Sequence, residues 1–229
     1  MPGRQDLQLP EGLREGLHQH LRDLADSYKR RGWAARVGFG KRPAVIVVDL
    51  AKGWTDSTQW LGSNLDSVVE NTSHVLEVAR GANLPIFFTV QAYGPDDPLG
   101  PSDRKHPLTR TALALGSTAT ELDPRLGRRP NEKLIVKKYP SCFKGTDLQD
   151  MLQGLEVDTL IVTGCSTLHC VYATCRDASG SFRLVVPKEA VGDRCELFHL
   201  VALLDIDLGM GDVVSVSEVI AHLEQRGDQ

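Results

Sequence analysis

A chain of 229 residues with 41% hydrophobic content carries enough apolar material for one domain with a sizeable core. Its formal charge of −4 leaves no basic footprint for nucleic acid, and no apolar run reaches the roughly 18 residues that span a bilayer, so neither is expected as a partner. Five cysteines without metal-type spacing, and a polar N-terminus without an apolar leader core, point to reduced thiols in a cytoplasmic protein rather than a disulfide framework.

In chain order, residues 11–31 set Leu13, Leu17, Leu21, Leu24 and Tyr28 on one helical stripe that Gly32 ends. That stripe suits a neighbouring subunit or the chain's own domain equally, so residues 1–32 are set apart as an amphipathic arm ahead of a single domain over 33–229. Pro43–Val48 is a continuous, largely β-branched run of the kind buried on both faces of a sheet, and Asp49 ends it. Residues 64–80, carrying Leu65, Val68, Val69, Val75, Leu76 and Ala79, read as a helix, and 84–90 as the next strand. Six prolines over 93–131 rule out long regular elements there, and an irregular stretch of that length inside a compact domain is usually functional, often a lid.

Lys133–Lys137 is a short strand, and Leu148, Met151, Leu152 and Leu155 mark a helix after it. The apolar run 159–163 reads as a buried strand broken by Gly164, and 171–178 as a helix. A strand over 182–186, an apolar helix through 197–204 and a strand over 212–216 follow; Ser215 with Glu218 fits a capping box opening the last helix. Alternating strands and helices predict a three-layer α/β/α fold around a mostly parallel six-stranded sheet, Rossmann-like in build. Ligands in such folds bind outside the carboxyl ends of the strands.

Asp49, Lys137 and Cys170 all fall at or just past those ends. A thiol at a helix start feels the positive end of the macrodipole, which favours thiolate. Asp49 is placed to take the thiol proton and return it to a leaving amine, and Lys137 to keep the carboxylate ionised and lower the thiol pKa. Backbone N–H groups of Cys170 and the turn before it, at Thr167, would meet an oxyanion. Singly, each residue has a plainer reading: a buried small hydrophobe, a turn or N-cap residue, a solvated strand end. Their convergence on one sheet edge favours chemistry. Cys165 and Cys175 read as buried thiols, His199 as a core or interface residue, and His169 as lining a pocket, because adjacent helical residues do not face each other. Trp54, Tyr93, Ser166 and the 93–131 segment are candidates for pocket wall and lid. Without HExxH, GxGxxG or GxxxxGK[ST] spacing, no metal and no cofactor are expected.

Three segments carry a resemblance: Val-Val-Asp49 after the first strand, Lys137-Lys-Tyr-Pro-Ser-Cys-Phe143 with Gly145-Thr146, and Gly164-Cys-Ser-Thr167-Leu-His-Cys170-Val. In this order they resemble the isochorismatase-like cysteine hydrolase family over about residues 33–220. That resemblance implies the catalytic triad Asp49, Lys137 and Cys170, and a non-proline cis peptide before the Thr, at Ser166–Thr167. Gly38-Phe-Gly-Lys-Arg-Pro-Ala-Val and Glu189-Ala-Val-Gly-Asp193-Arg194 resemble the branch of N-carbamoylsarcosine amidases and maleamate amidohydrolases, which implies a homodimer or homotetramer. Arg194 would pair with a substrate carboxylate or else belong to a structural Asp193–Arg194 turn. Ala51, Trp54, Leu168, His169 and Tyr172 depart from the branch pattern, Leu168 and His169 by adding bulk near the acyl site. The expected activity is a cysteine-dependent amidohydrolase that releases ammonia from a small linear amide or carbamoyl substrate through a thioester. The alternatives are an isochorismatase-type vinyl-ether hydrolase and a non-catalytic binding protein on the same fold.

Overall fold

The computed structural model describes residues 7–227. Its elements, in chain order, are α1 (Glu11–Arg30), β1 (Pro43–Val48), α2 (Lys52–Thr55), α3 (Asp66–Gly81), β2 (Ile86–Gln91), α4 (Thr109–Ala112), β3 (Lys133–Lys137), α5 (Leu148–Gly154), β4 (Thr159–Cys165), α6 (Tyr172–Ala178), β5 (Arg183–Pro187), β6 (Val191–Gly192), α7 (Glu196–Gly209), β7 (Asp212–Val214) and α8 (Val216–Gly227). Strand pairing runs β3-β2-β1-β4-β5-β7, parallel at every step. The expected six strands are all present. A seventh, the two-residue β6, pairs with the end of β4 and was not foreseen, being too short to show a periodicity.

Alternation along β1 divides the core into two faces. Ala44, Ile46 and Val48 pack with α5, α6 and α7, and Val45 and Val47 with α3 and α8. This is the expected three-layer arrangement. The chain order reverses between β1 and β4, whose register is fixed from Pro43↔Thr159 to Val48↔Gly164, and a crevice opens at their carboxyl ends. β4 does not break at Gly164 as the sequence suggests; it runs through it to Cys165. Gly164 has φ +115, and a Cβ there would lie 2.0 Å from the Val48 carbonyl oxygen, so glycine is what lets the two strands close up beside the crevice.

The N-terminal helix α1 buries no residue and lies against α7. It is tied down by the Arg14–Glu196 ion pair at 2.9 Å and by backbone bonds from Leu7 N–H to Arg194 (2.7 Å) and from Glu196 N–H to Leu7 (3.0 Å). At the other end, Ser215 and Glu218 form the foreseen reciprocal cap. No helix among the described residues is long and apolar enough to cross a membrane.

Candidate active site

Register explains how three distant residues meet. Thr89 and Gln91 sit two apart on β2, and Gln91 pairs with Lys137 at the end of β3, so all three point to the sheet face that α6 covers. β3 lies two strands from β1, roughly 9.6 Å at the usual spacing. A lysine side chain is long enough to reach most of that way. Its ammonium meets Asp49 Oδ2 at 2.6 Å and donates to the carbonyls of Pro140 (2.9 Å) and Tyr139 (3.1 Å). Asp49 follows β1 in a left-handed conformation, φ +52, which aspartate tolerates better than most residues. Its other oxygen accepts from the Thr89 hydroxyl at 2.8 Å, and its N–H donates to Thr89. Both members of the ion pair are buried, at 0% and 1% side-chain exposure, so neither is screened by water.

Cys170 enters from β4. After Cys165 the chain makes a wide turn over Thr167–Val171, closed by the Val171 N–H on the Ser166 carbonyl at 3.2 Å, five residues back. The thiol thus sits in a π-turn feeding α6, rather than in the first turn of a regular helix. The cis peptide is Cys165–Ser166, one bond earlier than the resemblance implied: β4 ends at Cys165, and the turn is taken there. Asp193 fastens the turn from outside, accepting the Leu168 N–H at 3.1 Å and the Cys195 N–H at 3.2 Å. His199 fastens it too, its Nδ1 2.9 Å from the Thr167 hydroxyl. Thr174 Oγ1 donates to the Cys170 carbonyl (2.7 Å) and accepts the Cys142 N–H (3.1 Å), tying the turn to the loop after β3.

Electrostatics overturn one expectation. Burial pushes the Cys170 thiol pKa well above its ordinary value; Lys137 pulls it down, but the Asp49 charge and hydrogen bond add to the rise. The resting thiol is therefore neutral. Lys137 and the helix start were expected to yield thiolate, but burial of the sulfur outweighs the pull of Lys137. For Lys137 burial is the largest influence and opposes the charge, yet the Asp49 carboxylate together with the nearby Cys170 and Cys142 raises the pKa above that of a free lysine. Burial pulls His199 below the ordinary histidine value, against Asp193 and Glu196. It is neutral near pH 7, as a hydrogen-bonding partner for Thr167 should be.

The sulfur opens on a cavity of about 580 Å³. Trp54, Tyr93, Ser166, His169 and Arg194 line it with Cys170, so the structure brings together every residue expected to bind substrate. The Pro-rich segment supplies a wall through Pro98, Gly100, Asp103, His106, Thr109 and Arg110. His169 meets Phe198 edge-on at 6.5 Å and leaves the sulfur open to the cavity. The Arg194 guanidinium rests 5.7 Å from the Trp54 ring and donates to the Leu61 carbonyl; no carboxylate among the described residues pairs with it. Asp193 is thus structural, and Arg194 faces the cavity.

Three participants escaped the sequence reading. Thr89 orients Asp49, Gln91 Oε1 lies 3.9 Å from the Cys170 sulfur while its Nε2 donates to the Tyr93 hydroxyl at 2.7 Å, and Arg110 stacks on Tyr93 at 4.9 Å. Gln91 is the last residue of its strand, so the rule that singled out Lys137 would have found it. Cys142, unassigned from sequence, is buried with its sulfur 3.6 Å from the Thr89 hydroxyl, and all five cysteines are free thiols.

A family model described as the isochorismatase domain matches residues 43–218, from β1 into α8. The chain belongs to the isochorismatase family. N-carbamoylsarcosine amidase from an Arthrobacter species is 34% identical over 203 residues, 86% of this chain and 77% of that protein. Maleamate amidohydrolase of Pseudomonas putida is 31% identical over 195 residues, 83% of this chain and 91% of that one. A crystal structure of a cysteine hydrolase from Pseudomonas syringae pv. phaseolicola 1448A superposes with a TM-score of 0.77 at 25% identity, over 81% of this chain and 93% of that one. The protein is a hydrolase of the isochorismatase family, and its sheet and flanking helices are the fold of that family.

Proposed function

We propose that the protein is an amidohydrolase that cuts a linear amide or carbamoyl C–N bond with Cys170 as nucleophile, Asp49 as proton carrier and Lys137 as fixed cation. The observation that carries this is the buried Lys137–Asp49 pair, 2.6 Å apart, beside a neutral thiol that opens on a substrate-sized cavity. As the sulfur attacks the carbonyl carbon, its proton passes to Asp49, and the oxyanion forms at the turn. The Leu168, His169 and Val171 N–H groups are taken by Asp193 and Ser166, which favours those of Thr167 and Cys170 as its donors. Asp49 then gives the proton to the departing nitrogen, so amide and thiol become thioester and ammonia. Water activated by Asp49 converts the thioester to acid and thiol. A carbamoyl substrate would pass through the corresponding thiocarbamate.

Arg194, which lines the cavity without an acidic partner among the described residues, supports a substrate that carries a carboxylate. The enclosed thiol at the head of the cavity argues against a vinyl-ether hydrolase that dispenses with a nucleophile. The names of the two relatives agree with the amide reading. Ammonia release from ureido acids, maleamate-type half-amides and nicotinamide tests it. Cys170→Ala is expected to abolish release with the fold intact by circular dichroism; wild-type turnover in that variant would end the nucleophile assignment. Exposed apolar side chains on α1 and α7, among them Leu13, Leu24, Phe198 and Val201, support a homodimer or homotetramer. Deleting residues 1–30 should shift the mass by light scattering to that of a monomer, and an unchanged assembly would remove the arm reading.

A further inference from the structure

Chemistry at Cys170 concerns one end of the substrate, and the cavity extends well beyond it. We infer that the natural substrate is a carboxylic acid with a bulky, flat apolar body, an aromatic ureido acid or amide rather than a small aliphatic one. The bond cut rests on the amidohydrolase reading; the body rests on three features of the cavity.

The first is size. At an upper bound of about 30 Å³ per water-sized group, a small ureido acid of about nine non-hydrogen atoms fills no more than about 270 Å³. The cavity holds about 580 Å³, within the range that encloses drug-sized ligands. The second is surface. Trp54, Tyr93 and Tyr139 line the space with Leu61, Val136 and Pro140, and Val136 and Tyr139 remain 47% and 42% exposed. Apolar side chains left uncovered on a concave wall are what a large apolar ligand covers. The third is charge. Two other cations at the wall are already matched: Lys138 pairs with Asp97, and Arg110 lies 3.6 Å from Asp103. Arg194 is left to receive one negative group, and the remaining wall asks for none.

The wall is built rather than collapsed onto the sulfur. Arg110 donates to the Asp97 carbonyl at 2.6 Å, the Asp97 carboxylate accepts the Gly94 N–H at 2.7 Å, and Tyr93 exchanges backbone bonds with Leu113 and Leu115 at 3.0 and 2.9 Å. The space exists before substrate arrives.

Two measurements decide the point. The first is kcat/KM for both enantiomers of N-carbamoyl-alanine, -leucine and -phenylalanine, with N-carbamoylglycine as the small reference. One fitting methylene is worth about 10-fold or more in such a pocket, so a rise of at least about 100-fold from glycine to phenylalanine is expected. A flat or falling series with ammonia released overturns the inference and leaves the amidase. The second is calorimetric titration of Cys170→Ala with N-acetylphenylalanine and N-acetylglycine, which needs no turnover. Tighter binding of the aromatic ligand by at least about 10-fold, lost in Tyr139→Ala, supports the pocket; equal or weaker binding overturns it. Aromatic preference in binding without ammonia from any ureido acid or amide would retire the bond assignment and keep the substrate body.

Discussion

Lys137→Met probes the centre of the site most directly. The substitution keeps the length of the side chain and removes its charge. What it leaves behind is an Asp49 carboxylate 1% exposed, with the Thr89 hydroxyl at 2.8 Å and the Cys170 thiol as its remaining side-chain donors, and two carbonyls, of Tyr139 and Pro140, without the ammonium they accepted from. Removing one partner of a buried pair costs about 3–5 kcal/mol, because the other charge stays in a low-dielectric interior. At about 2–4 °C per kcal/mol for a chain of this size, the melting temperature should fall by about 6–20 °C. Asp49→Asn should cost a similar amount by stranding the ammonium. The double variant Asp49→Asn/Lys137→Met buries no charge at all and should be several kcal/mol better than the sum of the singles. Urea denaturation of the four proteins, at constant m-value, measures all three differences. A loss below about 1 kcal/mol in Lys137→Met, or plain additivity in the cycle, would mean that water reaches the pair and that the buried-cation argument is wrong.

Two further outcomes follow from the same geometry. Because burial raises the Cys170 pKa, iodoacetamide should label the free enzyme slowly near neutral pH, with a rate still climbing above pH 9; a plateau by pH 7–8 would show a resting thiolate. The stability sign agrees: a thiol whose folded pKa is raised stabilises the fold below its unfolded value of 9.0 and loses that contribution as pH rises beyond it, a direction that Cys142, Cys165 and Cys175 share. Asp193→Ala releases the Leu168 and Cys195 N–H groups and should lower kcat by about 100-fold or more with KM little changed, since one misplaced oxyanion donor is worth about 100- to 1000-fold; a loss confined to KM would place Asp193 in substrate binding instead.

The parts of this molecule that could be read from sequence are those set by short-range pattern. Pro43–Val48 and 159–163 announced buried parallel strands through unbroken apolar runs, and Lys133–Lys137 matched its strand end for end. Asp49, Lys137 and Cys170 stood out because polar residues at strand ends share one edge in this architecture. Thr89 did not, because within Ile86–Gln91 it looks like an ordinary strand residue, and only the pairing with β1 shows whom it faces. Arg110 sat in a proline-rich stretch without periodicity, where only tertiary contacts fix position. The protonation of Cys170 was misjudged for a related reason. Helix position and a lysine in the motif are visible in sequence, whereas the enclosure of the sulfur is a property of the packed turn.

A neutral resting thiol is compatible with fast chemistry once the charges are counted together. In the resting site Asp49 is negative, Lys137 positive and Cys170 neutral; after proton transfer Asp49 is neutral, Lys137 still positive and the sulfur negative. Either way the enclosed group of three carries no net charge. Creating a lone buried thiolate would be prohibitive, whereas moving one proton between two acceptors that face the same cation leaves the desolvation nearly unchanged. The raised thiol value agrees with Cys170 keeping its proton at rest. Lys137 is held by Asp49 and two carbonyls, so it need not move when the proton does. In the proposed reaction a substrate carbonyl beside the sulfur and an oxyanion hole at the turn tip the balance, since negative charge then flows off the sulfur onto fixed N–H donors. On the proposed mechanism the lysine therefore does little to arm the free enzyme, and its main work is to make the proton's journey electrically neutral.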